Sequence, residues 1–240
     1  MDSTLGYSKL LYHAARNSAV IVKTFEDLGA VPFCKTNVPQ TLASIGSDNP
    51  IFGETLNPLN THLAPGGSTS GTACMVAAGA LKVGLATDIG GSARIPAHFT
   101  GVTGIAFTQG RLSTKGIVKA VPNIVGLKGT LGLIGDNPQT IASVLKHLLD
   151  NNRQHNYDPL ALPFSWNAHL FESSTALRIG YFTSLSIFPA IGDTPKTILA
   201  AKEALQSKGH KLISLENIID SFEAYDVYSD LISADGGQYI

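Results

Sequence analysis

Two glycine–serine clusters carry the residue types that a nucleophilic hydrolase needs. The first reads Gly66-Gly67-Ser68-Thr69-Ser70-Gly71 and the second Thr87-Asp88-Ile89-Gly90-Gly91-Ser92-Ala93-Arg94, so that Ser92 follows Ser68 by 24 positions. A glycine turn beside a serine exposes several backbone N–H groups next to a hydroxyl, which is the arrangement of a nucleophile with an oxyanion hole. Each cluster taken alone also fits an anion-binding turn or a purely structural turn. No Lys-Ser or Lys-Thr follows the glycines and Gly-x-Gly-x-x-Gly is absent, which excludes the two common nucleotide-binding loops.

The segments around these clusters alternate between helix and strand patterns. Apolar residues at helical spacing predict helices over residues 15–29, 71–81, 138–150, 195–208 and 222–234. Short apolar runs predict strands over residues 30–34 (a buried one), 83–89, 102–107, 178–182 and 211–215, with loops at 37–67 and 160–174. The pattern predicts an α/β protein. The first cluster begins a helix and the second ends the next strand, so the fold can bring the two serines together.

Composition excludes several classes of function. The 240 residues are 44% hydrophobic, which is enough for one large domain or for part of a larger one. The 17 basic and 18 acidic residues are not segregated, and no basic run suggests nucleic acid. Cys34 and Cys74 are not spaced as a metal site or a disulfide framework, which favours a reducing, intracellular compartment. The longest apolar stretch, residues 75–86, contains Lys82 and is too short to span a bilayer.

The two clusters, with the small-residue helix and the strand between them, resemble the amidase signature. Similarity to the fatty acid amide hydrolase branch of that family is carried by Asp2-Ser3-Thr4-Leu5-Gly6, Gly29-Ala30-Val31-Pro32-Phe33, Thr36-Asn37-Val38-Pro39-Gln40, Asn49-Pro50-Ile51-Phe52-Gly53 and Arg111-Leu112-Ser113. The resemblance is strong to about Gly116 and fainter beyond, where Ser233-Ala234-Asp235-Gly236-Gly237 fits again. It implies a central mixed, twisted sheet covered by helices on both faces. Residues 1–240 would form a single, partial domain of this kind.

The resemblance implies a Ser–Ser–Lys hydrolase that uses neither metal nor cofactor. Ser92 would be the acylated nucleophile, and Ser68, preceded by a cis Gly67–Ser68 peptide, would be the bridging serine. The substrate-binding groups that it implies are the oxyanion-hole amides of Ile89, Gly90, Gly91 and Ser92, the carbonyl of Leu42, and Ser68. Asp88 and Arg94 flank the nucleophile and are interpreted as a structural ion pair.

The lysine of the triad is implied upstream of the stretch that matches Asp2-Ser3-Thr4, so this chain would be a fragment that lacks it. Lys35 lies where relatives often carry Lys or His without a catalytic role, and it is not expected to replace the missing base. The implied substrate is a small lipid amide. Membrane association would involve segments outside this chain, a homodimer is allowed, and the full-length protein would be cytoplasmic or peripheral on endomembranes.

Two alternatives stay open. The missing lysine, and departures from the family pattern at Gly104-Ile105-Ala106-Phe107 and at residues 131–136, are compatible with a catalytically impaired chain that keeps a binding fold. An amidotransferase subunit of the same family would need protein and tRNA partners, and the absence of a basic cluster disfavours it.

Overall fold

A computed structural model describes residues 1–120, 126–216, 218–234 and 236. These residues divide into two compact units, of which the first runs from Met1 to Trp166 and the second begins at Asn167. Both units contain helices and strands, and the predicted α/β class is confirmed. The assignment of residues 1–240 to a single domain stays a prediction.

The first unit contains five helices and five strands among its described residues. They are α1 (Val20–Asp27), β1 (Asp48–Asn49), β2 (Gly53–Glu54), α2 (Ser70–Ala77), β3 (Val83–Asp88), α3 (Arg94–Thr100), β4 (Thr103–Ala106), β5 (Thr130–Gly135), α4 (Pro138–Asp150) and α5 (Arg153–Tyr157). Short 3-10 turns lie at Ser8–Leu10 and Gln40–Leu42. The predicted helix at 138–150 is confirmed at both ends, because Asn137 caps it and Pro138 occupies its first turn.

The sheet that supports the two clusters has the order β3-β5-β4, and both of its pairs are antiparallel. Its central strand, β5, buries Leu131 and Leu133 in one cluster with Ile21 of α1 and Leu148 of α4. On the other side, Ile134 packs with alanines and Val76 of α2 and α3. Helices therefore lie on both faces of this sheet. The small side chains of α2 and α3 let these two helices approach it closely.

Several predictions for the first unit are incomplete or wrong. The helix predicted at 15–29 is confirmed only over Val20–Asp27, α3 and α5 are not predicted, and β1 and β2 lie in the segment predicted as a loop. β5 is not among the predicted strands, although its continuous apolar run is a signal for a fully buried strand. Residues 30–34, predicted as a buried strand, belong to no strand of the structure, and Val31 and Phe33 are 81% and 60% exposed. The physical reason is that no described strand lies beside them to pair with their backbone or to cover their side chains.

The second unit is built on a parallel β–α–β arrangement. Its elements are α6 (Ala168–Phe171), β6 (Arg178–Tyr181), α7 (Thr194–Ser207), β7 (Lys211–Ser214) and α8 (Ser221–Ile232), and β6 pairs with β7 in parallel. All but α6 were predicted to within two residues, whereas α6 lies in a segment predicted as a loop. Asp235 and Gly237 of the last family-like stretch lie outside the described residues. In the described part of the chain, no helix has the length and hydropathy needed to cross a bilayer.

Candidate active site

The turn that carries Ser68 is buried and tightly packed. Ser68 is 2% exposed, and its peptide bond to Gly67 is cis, as the resemblance implies. A Cβ atom at Gly67 would lie 2.1 Å from the carbonyl oxygen of Gly46 and 2.9 Å from that of Ser44. Because both neighbours are backbone atoms, only glycine fits here. The close contact holds the loop at 44–46 against the serine turn.

Ser68 and Ser70 have different surroundings, although the sequence places them two residues apart. Ser70 is completely buried, and its Oγ donates to the carbonyl of Asn37 at 3.3 Å. The same carbonyl accepts the N–H of Gly71 at 3.0 Å, so Ser70 helps to attach the start of α2 to the preceding segment. The Ser68 hydroxyl has no hydrogen-bond partner among the described residues and is free to exchange a proton.

Asp88, the last residue of β3, organises the turn that carries Ser92. Its buried carboxylate accepts the backbone N–H groups of Gly91 at 2.7 Å and Ala93 at 3.0 Å. Arg94 donates to both carboxylate oxygens, at 2.9 Å through Nη2 and 3.1 Å through Nε. Burial by itself would raise the pKa of Asp88, but the bonds from Arg94 and the two amides hold this pKa below its usual value. The structural ion pair that the sequence predicted is present.

This use of Asp88 limits which amides can face a substrate. The N–H of Gly91 is already donated to the carboxylate. The N–H groups of Ile89, Gly90 and Ser92 have no hydrogen-bond partner in the described part of the chain. Three of the four amides named from the resemblance are therefore available to an oxyanion, and the fourth maintains the turn.

Backbone contacts bring the two serine turns together. The N–H of Thr69, the residue after Ser68, donates to the carbonyl of Ser92 at 3.1 Å. A Cβ at Gly66 would lie 2.9 Å from Cα of Pro96. The residues just before Ser68 therefore pack directly against α3. Ser92 itself is half-buried, and its hydroxyl, like that of Ser68, has no partner among the described residues.

The loop that contains Leu42 is held by a polar network. Thr41 and Leu42 have positive φ values of 65° and 60°, which non-glycine residues seldom adopt outside constrained sites. The Thr41 N–H donates to the carbonyl of Leu5 at 2.9 Å. The buried Asn49 donates to Oδ1 of Asn37 at 2.6 Å and so fixes the far end of the loop. This loop continues to Gly46 and therefore reaches the Ser68 turn.

Lys35 does not have the geometry of a base for these serines. Its Nζ donates to the carbonyls of Met1 at 2.9 Å and Asp2 at 3.2 Å, and to Oγ of Ser3 at 2.6 Å. Partial burial lowers the pKa of Lys35, and the charge of Asp2 opposes that shift. An amine with three acceptors around it holds its protons toward them and offers no lone pair to Ser68. The expectation that Lys35 is not the triad lysine agrees with these contacts.

The family model described as "Amidase" matches residues 1–240. This chain belongs to the amidase family. Two curated amidases are similar along its whole length. Fatty acid amide hydrolase 1 of Caenorhabditis elegans is 33% identical over 100% of this chain and 42% of its own length. Fatty-acid amide hydrolase 1 of Sus scrofa is 35% identical over 99% of this chain and 41% of its own length.

Solved structures agree with the family assignment. A fatty acid amide hydrolase superposes with a TM-score of 0.87 at 25% identity, over 98% of this chain and 41% of that chain. An aryl acylamidase of the amidase signature family superposes with a TM-score of 0.77 at 24% identity, over 93% of this chain and 45% of that chain, which is a likeness of fold. The predicted family and its fold are confirmed. This amidase chain spans less than half the length of the relatives that it matches.

Proposed function

We propose that the protein is a serine hydrolase of amide bonds, with fatty acid amides as substrates and Ser92 as the nucleophile. The observation that supports this most directly is the hydrogen bond at 3.1 Å from Thr69 N–H to the Ser92 carbonyl, which joins two turns whose serine hydroxyls lack other partners among the described residues. The similarity to two fatty acid amide hydrolases supports the substrate class.

The proposed reaction proceeds through an acyl-enzyme. Ser92 Oγ attacks the amide carbonyl carbon while its proton passes to Ser68 and from Ser68 to a neutral lysine, which the resemblance places upstream of Met1. The carbonyl oxygen gains negative charge, and the N–H groups of Ile89, Gly90 and Ser92 stabilise it. The carbon–nitrogen bond then breaks as the leaving amine takes a proton back through Ser68. Water attacks the acyl ester by the reverse relay, releases the fatty acid and regenerates Ser92.

The surrounding residues position this chemistry. Asp88 holds the nucleophile turn, and the Leu42 carbonyl contacts the substrate from a loop that abuts Gly67. No step requires a metal or an organic cofactor. The same proposal covers three properties of the whole protein. They are contact with membranes, formation of a homodimer, and a location that is cytoplasmic or peripheral on endomembranes.

A fluorophosphonate probe tests the assignment of the nucleophile. The protein is extended upstream through the implied lysine, labelled, digested and mapped by mass spectrometry. We expect the label on Ser92 and its loss in Ser92→Ala. The matched control is Ser70→Ala, which should keep the label because the Ser70 hydroxyl donates to the Asn37 carbonyl. A label on Ser68 or Ser70 in the parent protein would overturn the assignment.

One observation favours a second candidate, in which the protein is a catalytically impaired member of the family that keeps a binding fold. Of the lysines that flank the clusters, Lys35 binds residues 1–3 and Lys82 pairs with Asp136 at 3.0 Å, so neither serves Ser68. A serine hydroxyl without a base is a weak nucleophile at neutral pH. Hydrolysis of oleamide by the 240-residue chain and by the upstream-extended protein distinguishes the two candidates. Impairment of both forms would favour the second.

A further inference from the structure

The side-chain amide of Asn49 is buried and uses all of its hydrogen-bonding groups. Its Oδ1 accepts the backbone N–H groups of Ile51 at 2.9 Å and Phe52 at 2.8 Å. Its Nδ2 donates to Oδ1 of Asn37 at 2.6 Å and to the carbonyl of Val38 at 2.8 Å. Two donors face one end of the amide and two acceptors face the other, which fixes its orientation. The side chains of Asn37 and Asn49, here termed the amide pair, close the loop between them.

Asn37 also attaches this closed loop to the turn that carries Ser68. Its Nδ2 donates to the carbonyl of Gly53 and to Oγ1 of Thr55, both at 3.0 Å. Its backbone carbonyl accepts the hydroxyl of Ser70, the first residue of α2, at 3.3 Å. One residue thus joins the two ends of the loop to the helix that begins just after the bridging serine.

Between the two amides, Thr41 and Leu42 have a backbone conformation that depends on outside support. Their φ values are 65° and 60°, and a positive φ is rare for a β-branched residue such as Thr41. Backbone strain of this kind persists only where the surrounding structure determines it. The Leu5 carbonyl accepts the Thr41 N–H at 2.9 Å and holds the turn from one side. The amide pair fixes the ends of the loop in which the turn lies.

This strained turn presents the Leu42 carbonyl as an acceptor. The N–H of Leu42 donates to the Pro39 carbonyl at 3.1 Å, whereas its own carbonyl receives no hydrogen bond from the part of the chain that the structure describes. The N–H of a substrate amide is a donor that this carbonyl can accept. Such a contact requires accurate placement, because a misplacement of about 1 Å can cost roughly 100-fold in rate.

We propose that Asn37 and Asn49 are positioning residues, which place the Leu42 carbonyl to accept the N–H of the amide being cleaved. Without the amide pair, Thr41 and Leu42 would relax to negative φ values, and the rotation of their peptide groups would turn the carbonyl away. Neither asparagine side chain touches the substrate in this arrangement. The inference rests on the proposed function, because the Leu42 carbonyl has this role only if an amide is cleaved at Ser92.

Two isosteric substitutions separate the bond within the amide pair from the rest of the network. Asn49→Asp keeps the acceptor for the two backbone N–H groups that follow it, but it sets a carboxylate oxygen against Oδ1 of Asn37 and breaks the pair. Asn37→Asp keeps the acceptor for Asn49 and loses only the two bonds that its own Nδ2 donates. The two variants are matched in shape and in added charge.

Oleamide hydrolysis by the upstream-extended enzyme measures the catalytic effect. We expect Asn49→Asp to lower kcat and kcat/KM equally, by at least about tenfold, and Asn37→Asp to lower both by less than about threefold. Adding Thr41→Asn to the Asn49→Asp variant should raise kcat by at least about threefold, because asparagine tolerates a positive φ. It also keeps a side-chain acceptor for the Ala43 N–H. Equal losses in the two aspartate variants, or no recovery with Thr41→Asn, would indicate a merely structural role and overturn the proposal.

Amide hydrogen exchange of the 240-residue chain tests the same device without catalysis. The Thr41 N–H should exchange at least about tenfold faster in Asn49→Asp and within about threefold of the parent rate in Asn37→Asp, while amides of β5 keep their rates. Equal exchange at Thr41 in both variants would refute the proposed support of the turn.

A second pair of variants applies if the β5 amides show that a carboxylate at position 49 unfolds the chain. Asn49→Ser is uncharged and too short to reach Asn37, whereas Thr55→Val removes one acceptor of Asn37 and leaves the amide pair intact. The serine variant alone should speed exchange at Thr41, and equal rates in the two would overturn the proposal. A parent enzyme that fails to hydrolyse oleamide while the exchange results hold would refute the proposed function and the catalytic role, but not the support of the turn.

Discussion

Replacement of Asp88 by asparagine should test whether this residue maintains the nucleophile turn. Each carboxylate oxygen accepts one backbone N–H and one bond from Arg94. Asparagine keeps the shape and one oxygen, but it turns an NH₂ group toward either Gly91 or Ala93, where two donors then face each other. The substitution also removes the charge that pairs with Arg94.

The expected loss of stability follows from these contacts. A buried backbone donor left without an acceptor costs about 1–3 kcal/mol. Arg94 has a side chain that is 59% exposed, so the loss of its ion pair adds at most about 1 kcal/mol after allowance for solvent screening. The Asp88→Asn variant should therefore lose about 1–4 kcal/mol of unfolding free energy, a large share of the roughly 5–15 kcal/mol typical of a folded domain.

Urea unfolding of the 240-residue chain, followed by circular dichroism, measures this loss as a shift in midpoint at constant slope. The matched control is Asp136→Asn, which breaks the pair with a lysine whose side chain is 83% exposed and should shift the midpoint far less. The difference between wild type and Asp88→Asn should also depend on pH. The pKa of Asp88 is lowered in the folded state, so its contribution is fully present above about pH 4 and declines as the pH falls through the folded-state value. Equal midpoint shifts in the two variants, or a difference that persists unchanged at acid pH, would refute the role assigned to Asp88.

Three further predictions concern the serine turns. In the upstream-extended enzyme, Ser68→Ala should lower turnover by roughly 10²–10⁴-fold, the range of acid–base catalysis, and Ser70→Ala by much less; similar, small losses in both would reject the relay. Gly67→Ala should abolish probe labelling because its Cβ would meet the Gly46 carbonyl oxygen at 2.1 Å. The control Gly129→Ala, whose Cβ would have no neighbour closer than 3.7 Å, should label normally. Normal labelling of both variants would contradict the packing argument. The 240-residue chain should hydrolyse oleamide far more slowly than the extended enzyme in a direct assay. Equal rates would contradict the need for an upstream lysine and would make Lys35 the candidate base.

The sequence by itself determined the features that depend on local chemistry. The two Gly-Gly-Ser turns, one before a helix and one after a strand, indicated that two serines could lie close together, and the resemblance to the amidase signature implied which two. The helix at 138–150 followed from its apolar periodicity. The strand–helix–strand order of β6, α7 and β7 followed from alternating short patterns with clear start and stop residues.

Only the tertiary structure decided the features that depend on which segments meet. The insertion of β5 between β3 and β4 pairs residues as far apart in the sequence as Val83 and Gly135, and no local pattern specifies such a partner. The tertiary structure also decides that the Asp88 carboxylate accepts the Gly91 N–H. It likewise decides that the Asn37 carbonyl accepts the Ser70 hydroxyl, whereas the Ser68 hydroxyl has no partner among the described residues. Residues 30–34 carry a strand's sequence and have no strand beside them, because the backbone pairing that makes a strand is a property of two segments and not of one.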